Sequence, residues 1–282
     1  MPSEWDHEAL GILSATSTAG QEEGQGATED DPWWEGVVGD LDEWLNPKEE
    51  APDVVGPVKN ELDELMEKER LTVEEIAQAR EWIKEEPVEH QGALYEELQK
   101  KVEYLNQRNN ESAEEVEDGG TCNLTSLAMC LMYLGIANPN PEKQYEDALV
   151  DICNEKGWSL LKGATWEKLG KELGALVTYR EGGKHNQEWF ETTLEGWLQG
   201  SGVIVGIHGH VVRIEGVTAD GLVVDDPYGA CELDGDTGRN WEELNGKEED
   251  GTSEDNVGED SVWGWDSVTA FDFKYFFTVA SA

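Results

Sequence analysis

The chain has 282 residues, of which 38% are hydrophobic, and its 63 acidic and 20 basic residues give a formal net charge of −43. Such a charge repels nucleic-acid phosphates and anionic lipid surfaces, so neither nucleic acid nor a membrane is expected as a partner. It is typical of proteins that work in high salt, and it also attracts cationic substrates.

Residues 1–55 form an acidic arm for which the sequence predicts little packed structure. Gly, Ser, Thr and Glu dominate residues 14–31, a composition that disfavours a buried core. Trp33, Trp34 and Trp44 stand out in this arm. Large aromatic side chains in such a setting either fold back on their own chain or dock on a partner, for example a virion or host protein.

No targeting segment is recognisable in the sequence. Residues 1–6 lack the basic and apolar regions of a signal peptide, and no run of about 18 apolar residues predicts a membrane span. We therefore expect synthesis in the cytoplasm, followed by inclusion in a particle such as a virion or by release on lysis.

A helical segment is predicted over residues 56–103. Its apolar positions keep helical spacing in three stretches, which are Pro57–Arg70, Thr72–Glu86 and Gln91–Asn106. Thr72 and Glu75 predict a capping box at the start of the second helix. Pro87 ends that helix, because the residue before a proline avoids the helical region.

Residues 104–282 mix helical and strand patterns, which predicts a domain of the α+β class. Helices are predicted over 122–135, 144–155, 165–173 and 186–199, and strands over 176–179, 203–207, 210–217, 221–225 and 270–279. The turn at 219–221 joins two of these strands into an antiparallel hairpin. Residues 234–260 are rich in glycine and acidic side chains and predict a solvated loop.

Cys122 opens the apolar helix that follows Gly119-Gly120. A thiol in the first turn of a helix lies in the partial positive charge of that helix end, which favours the thiolate. The other cysteines are Cys130, Cys153 and Cys231. The spacing contains no CxxC pair and fits no zinc template, so we predict no metal site, and four cysteines are too few for a disulfide framework. We expect no other cofactor.

A cysteine nucleophile needs a base within hydrogen-bond reach and a third group that orients the base. His210 begins one strand of the predicted hairpin, and Asp225 and Asp226 end the other. In an antiparallel hairpin the start of one strand lies beside the end of the next, so these residues are expected to be neighbours.

The residues Cys122-Asn123-Leu124-Thr125, Gly209-His210-Val211-Val212 and Asp225-Asp226-Pro227-Tyr228-Gly229 together resemble the C39-like peptidases. These are papain-like cysteine peptidases, and the subgroup with the greatest resemblance is often encoded by phages and bacteria. The resemblance covers roughly residues 104–280. It implies a papain-like α+β fold, with Cys122 as nucleophile, His210 as general base and acid, and Asp226 as the group that orients the imidazole.

Papain-like enzymes also place a glutamine before the cysteine, and its amide helps to hold the oxyanion. Many relatives have it about six residues upstream, where this chain has Val116. Gln107 is the nearest candidate, in a Gln-Arg-Asn-Asn segment similar to one in the phage-type subgroup. Its position requires residues 109–120 to loop out.

Three functions follow from this pattern. The favoured hypothesis is a thiol hydrolase that cleaves the peptide bonds of a protein or of a bacterial cell-wall peptide through an acyl-enzyme. An alternative is a non-catalytic assembly protein of a phage-like particle that uses the fold as a binding module. A further alternative is a transamidase or peptide ligase, in which an amine instead of water reaches the thioester.

Overall fold

Six antiparallel strands form one sheet in the part of the chain that the structure describes. The computed structural model describes residues 57–107, 121–160, 162–229, 232–233 and 258–282. The strands are β1 (Ala175–Gly183), β2 (Gly202–Ile207), β3 (His210–Val217), β4 (Gly221–Asp225), β5 (Ser261–Gly264) and β6 (Phe273–Ser281). Their order is β1-β6-β2-β3-β4-β5, so the last strand of the chain lies between β1 and β2.

Helices precede, interrupt and cover this sheet. They are α1 (Pro57–Met66), α2 (Val73–Glu85), α3 (Val88–Gln99), α4 (Cys122–Tyr133), α5 (Tyr145–Lys156), α6 (Gly163–Leu173), α7 (Gln187–Trp189), a π-helical turn (Phe190–Leu194), α8 (Glu195–Leu198) and α9 (Trp265–Ala270). None of these described helices is long and apolar enough to cross a lipid bilayer. Helices together with an antiparallel sheet confirm the predicted α+β class.

The two faces of the sheet contribute to two separate buried cores. On β2, Ile204 enters the core that contains α4, whereas Val203 and Val205 enter the core closed by the π-helical turn and α9. This division follows from the alternation of side chains along a strand. The sheet is therefore covered by helices on both faces.

All twelve residues of α4 are buried, which explains why its sequence is apolar all round. The helix packs against β2, β3 and β6. The Ser126 hydroxyl donates to the Val211 carbonyl at 3.3 Å and so ties the first turns of α4 to the beginning of β3. The start of the cysteine helix is thereby placed beside the start of the histidine strand.

The first three helices pack on the chain that follows them. Leu62, Ile76 and Leu98 lie in the same core as α4. At the end of α3, the Gln99 amide donates from Nε2 to the Leu198 and Ser201 carbonyls, both at 3.0 Å. The three helices predicted for residues 56–103 are thus present and share a core with α4, while the predicted arm, 1–55, lies outside the described residues.

The predicted capping box is present at the start of α2. The Glu75 amide donates to Thr72 Oγ1 at 3.2 Å, and the Thr72 amide donates to the Glu75 carboxylate at 2.9 Å. The left-handed Gly174 (φ 80°) ends α6, as its position after the last apolar residue predicted. Local signals of this kind were sufficient for several helix ends, but α1 ends at Met66 and not at the predicted Arg70.

Other boundaries were predicted wrongly. The third helix begins at Val88 and ends at Gln99, earlier than expected, because residues 104–107 bond to distant parts of the chain. The short elements β5 and α9 were not predicted, and Ala270 belongs to α9 instead of to the last strand. Elements this short carry too few residues for a periodic pattern.

Candidate active site

Cys122 is the first residue of α4. The amides of Leu124 and Thr125 both donate to the Thr121 carbonyl at 2.9 Å, which closes the first turn around the cysteine. The Cys122 side chain is buried, and 4% of the residue remains exposed to solvent. Its sulfur therefore lies at the positive end of a buried helix.

The other described cysteines have inert surroundings. Cys130 and Cys153 are completely buried. Burial raises the pKa of the Cys130 thiol to about 12 and that of the Cys153 thiol to about 11. Because the thiolate is the reactive form, these two thiols stay unreactive near neutral pH. Cys231 lies outside the described residues.

His210 is the first residue of β3 and follows a two-residue turn. β2 pairs with β3 in a register that places Ile207 opposite His210, and Gly209 between them has a left-handed φ of 67°. A side chain at that position would strain the turn, so glycine fits it. His210 Nε2 lies 2.7 Å from Asp226 Oδ1, which leaves Nδ1 on the opposite side of the ring.

Asp226 is fixed from three directions. Its Oδ1 also accepts the Tyr228 amide at 2.9 Å, and its own amide donates to the Gly258 carbonyl at 2.9 Å. The Tyr104 hydroxyl donates to the Asp226 carbonyl at 2.6 Å. The side chain is fully buried. The carboxylate is therefore held in one orientation toward the imidazole.

The charges of the three groups act on one another. Burial lowers the pKa of His210, but the Asp226 carboxylate and the adjacent charge of Cys122 together raise it more strongly, to about 9. These charges favour the protonated imidazole near neutral pH. A protonated imidazole beside a thiol places a proton donor next to a nucleophile.

Gln107 lies beside the turn that follows Asp226. Its backbone amide donates to the Pro227 carbonyl at 2.8 Å. Its side chain is buried, and the side-chain Oε1 has no hydrogen-bond partner among the described residues. The Leu105 amide donates to the Met129 sulfur at 3.4 Å, which holds the same segment against α4. Among the described residues, no hydrogen bond joins the Gln107 side chain to Cys122.

The structure thus brings Cys122, His210 and Asp226 together and places Gln107 next to the residue after Asp226. A comparison with protein families gives a match to the peptidase C39-like family over residues 99–248, just over half of the chain. The chain belongs to the peptidase C39-like family. It is a cysteine peptidase with the papain-like α+β fold, and the matched region contains all four predicted site residues.

The other comparisons add little to the family assignment. No curated protein matches this chain significantly. One similar solved structure is that of a double glycine motif protease from an AMS/PCAT transporter in complex with the leader peptide. It has 15% sequence identity and a TM-score of 0.33, over 57% of this chain and 84% of that chain.

Tyr275 of the C39-like peptidase is a neighbour of Cys122 that the sequence analysis missed. It lies on β6 opposite Gly206, where a Cβ atom would come within 2.4 Å of the tyrosine ring. Burial and the charge of Cys122 both raise the pKa of the Tyr275 hydroxyl. The aromatic run in β6 predicted only a strand, since proximity to α4 depends on the sheet order.

A buried ion pair behind the site was also missed. Arg213 is fully buried and donates to the Asp225 carboxylate and, from Nη2, to the Gln99 backbone and side-chain oxygens at 2.7 and 2.8 Å. Asp225 immediately precedes Asp226, so the pair anchors the end of β4 to α3. Removing one partner of a buried pair leaves the other charge uncompensated, at about 3–5 kcal/mol.

Asp225 also belongs to a cluster of carboxylates with Glu215 and Asp260. One oxygen of each lies within 4.8 Å of the others. Burial, and next the charge of Asp225, raise the pKa of Glu215 to about 8. Burial thus favours the protonated form of Glu215, while Arg213 balances the charge of Asp225.

Proposed function

We propose that the protein hydrolyses peptide bonds through an acyl-enzyme on Cys122, with His210 as general acid and base and Asp226 as the residue that orients it. The observation that carries this proposal is the 2.7 Å contact of His210 with a fully buried Asp226, beside the first residue of the cysteine helix. An oriented base next to a thiol is the arrangement that nucleophilic catalysis requires.

The steps follow from the charge state of the pair. The Cys122 thiolate attacks the carbonyl carbon of the peptide bond and forms a C–S bond. The C–N bond then breaks, while protonated His210 gives its proton to the departing amine. Water, deprotonated by His210, next attacks the thioester. This releases the carboxylic acid and restores the thiolate and the imidazolium.

The oxyanion formed in both steps needs preorganised donors. We propose the side-chain amide of Gln107 and the backbone amide of Cys122, because the first backbone amides of a helix have no partner within the helix. The support for Gln107 is its burial beside Pro227, together with the ties that hold residues 104–107 against α4.

The proposed substrate is an extended peptide, from a protein or from a bacterial cell wall. Association with a virion through residues 1–55 stays a prediction of the sequence. Hydrolysis is preferred to transamidation, because no second acceptor site for an amine is needed to complete it.

The function is tested by product analysis of the full-length protein. We would incubate it in ¹⁸O-labelled water with a protein-derived peptide pool and, separately, with purified bacterial cell wall, and identify the products by mass spectrometry. We expect new carboxyl termini carrying ¹⁸O in one of the two samples, absent with Cys122→Ala and present with Cys153→Ala. Joined peptides without ¹⁸O would indicate ligation instead, and products that do not depend on Cys122 would refute the proposal.

A further inference from the structure

A pocket of about 450 Å³ lies beside the last turn of α4, at the opposite end of that helix from Cys122. Its walls come from residues 103–106, Met132 near the end of α4, Asn138 and residues 143–146, with Val73 of α2 at one side. Leu105, Met132 and Tyr145 supply apolar surface, and Glu103 and Glu146 supply carboxylates. The lining therefore combines apolar side chains with acidic groups.

Glu146 is the unusual member of this lining. It lies in the first turn of α5 with 1% of its surface exposed, yet its Oε2 has no hydrogen-bond partner among the described residues. The next residue, Asp147, is equally buried and has an unpartnered Oδ1. A buried carboxylate oxygen without a partner is costly, and a cation in the pocket would compensate it.

The charges around Glu146 favour a cationic occupant. Burial, and then the negative charges of Asp147 and Glu103, raise the pKa of Glu146 to about 7. Lys143 also lines the pocket, but its ammonium donates to the exposed Asp151 at 2.6 Å. The carboxylates thus repel one another and gain from a positive charge placed between them.

The shape of the lining favours a basic side chain over a bare metal ion. Hard cations such as Ca²⁺ take six to eight oxygen ligands, whereas the carboxylates of this lining are those of Glu103 and Glu146, beside apolar surface from Leu105 and Met132. Lysine and arginine combine an aliphatic stem with a charged head, which matches apolar surface near a carboxylate. The strongly acidic chain would also attract basic peptides.

The pocket is connected to the catalytic residues. Tyr104 lines it and donates its hydroxyl to the Asp226 carbonyl. Met132 lies ten residues along α4 from Cys122, which is about 15 Å at the rise of an α-helix. Because α4 is buried throughout, a peptide bound at both places passes around it and needs at least about five extended residues.

We propose that this pocket is a specificity site that binds a lysine or arginine side chain of the substrate peptide, at least about five residues from the cleaved bond. The substrate part of this proposal rests on the proposed function, whereas the preference for a basic side chain rests on the pocket alone.

A binding experiment without turnover tests it. We would titrate the full-length Cys122→Ala protein with acetyl-arginine amide and with its neutral analogue acetyl-citrulline amide, observed by ligand NMR. The citrulline analogue should bind at least tenfold more weakly. Glu146→Gln should weaken arginine binding at least tenfold, while the control Glu142→Gln, which removes an exposed charge four residues away, should stay within twofold.

The pH dependence gives an independent readout. Because the arginine head binds the carboxylate form of Glu146, affinity should rise about tenfold between pH 6 and pH 8, as expected for a group with a pKa of about 7. This rise should disappear in Glu146→Gln. If that variant does not fold, as judged by its thermal midpoint, Glu103→Gln at the exposed rim should still weaken binding about threefold.

Three results would overturn the proposal. They are equal binding of arginine and citrulline amides, no effect of either pocket variant, or equal losses in Glu146→Gln and Glu142→Gln, which would indicate attraction by net charge alone. Binding that holds while hydrolysis fails would refute the proposed function only. Hydrolysis that depends on Cys122 while binding fails would refute the pocket only.

Discussion

Replacing Cys122 with alanine is expected to lower the rate of peptide hydrolysis by about 10⁶-fold, the size of effect seen when a nucleophile is removed from a catalytic unit. The reason is that the thiolate forms the only covalent bond between enzyme and substrate in the proposed mechanism. The rate is measured on the peptide identified by product analysis, with protein concentration corrected for the folded fraction.

Cys153→Ala is the matched control for this loss. Cys153 is a fully buried cysteine in α5, and burial raises the pKa of its thiol to about 11. The control should retain activity within about threefold, since the residue is remote from the catalytic charges. Retention of more than about 1% of the activity by Cys122→Ala would contradict the role of the thiol.

Replacing Asp226 with asparagine is expected to lower kcat/KM by about 10⁴-fold and to move the pH profile. In the native protein kcat/KM should fall above pH of about 9, because His210 then loses the proton that the leaving amine needs. Asparagine removes the strongest cause that raises the pKa of His210, and burial then lowers it. The alkaline limb should therefore move down by at least about one pH unit.

Asp220→Asn is the control for the second prediction. Asp220 lies exposed in the turn between β3 and β4, so its replacement changes the net charge equally but does not touch the imidazole. Its pH profile should match that of the native protein. An Asp226→Asn variant with the native alkaline limb would show that Asp226 does not set the charge of His210.

The catalytic residues were accessible from the sequence because each stands at the end of an element with a strong local pattern. Cys122 begins an apolar helix after two glycines, and His210 begins a strand after Gly209. Asp226 follows the other arm of a hairpin with a short turn, so its nearness to His210 needed no long-range knowledge. The register of one hairpin was sufficient.

Contacts between distant segments could not be obtained in this way. Arg213 and Gln99 are 114 residues apart, and no local pattern pairs them. The position of Tyr275 beside Cys122 depends on β6 being inserted between β1 and β2. The pocket at Glu146 likewise needs α5 and residues 103–106 to meet, and in the sequence Glu146 is only one of many acidic residues on an amphipathic helix.

The missed contacts also explain what the first three helices do for the site. Gln99 at the end of α3 accepts a hydrogen bond from Arg213. Arg213 also donates to the carboxylate of Asp225, the residue before Asp226. The segment after α3 carries Tyr104, whose hydroxyl bonds to the Asp226 carbonyl. The helical segment is therefore part of the support of the catalytic carboxylate.

The most direct test of the proposed activation of Cys122 by His210 is the rate of alkylation of each cysteine by iodoacetamide at pH 6, assigned by peptide mapping. We predict that Cys122 reacts at least about 100-fold faster than Cys130 and Cys153, whose thiols burial keeps neutral. We also predict that His210→Ala removes most of this advantage. Labelling of Cys130 before Cys122, or a Cys122 rate that is unchanged in His210→Ala, would contradict the account.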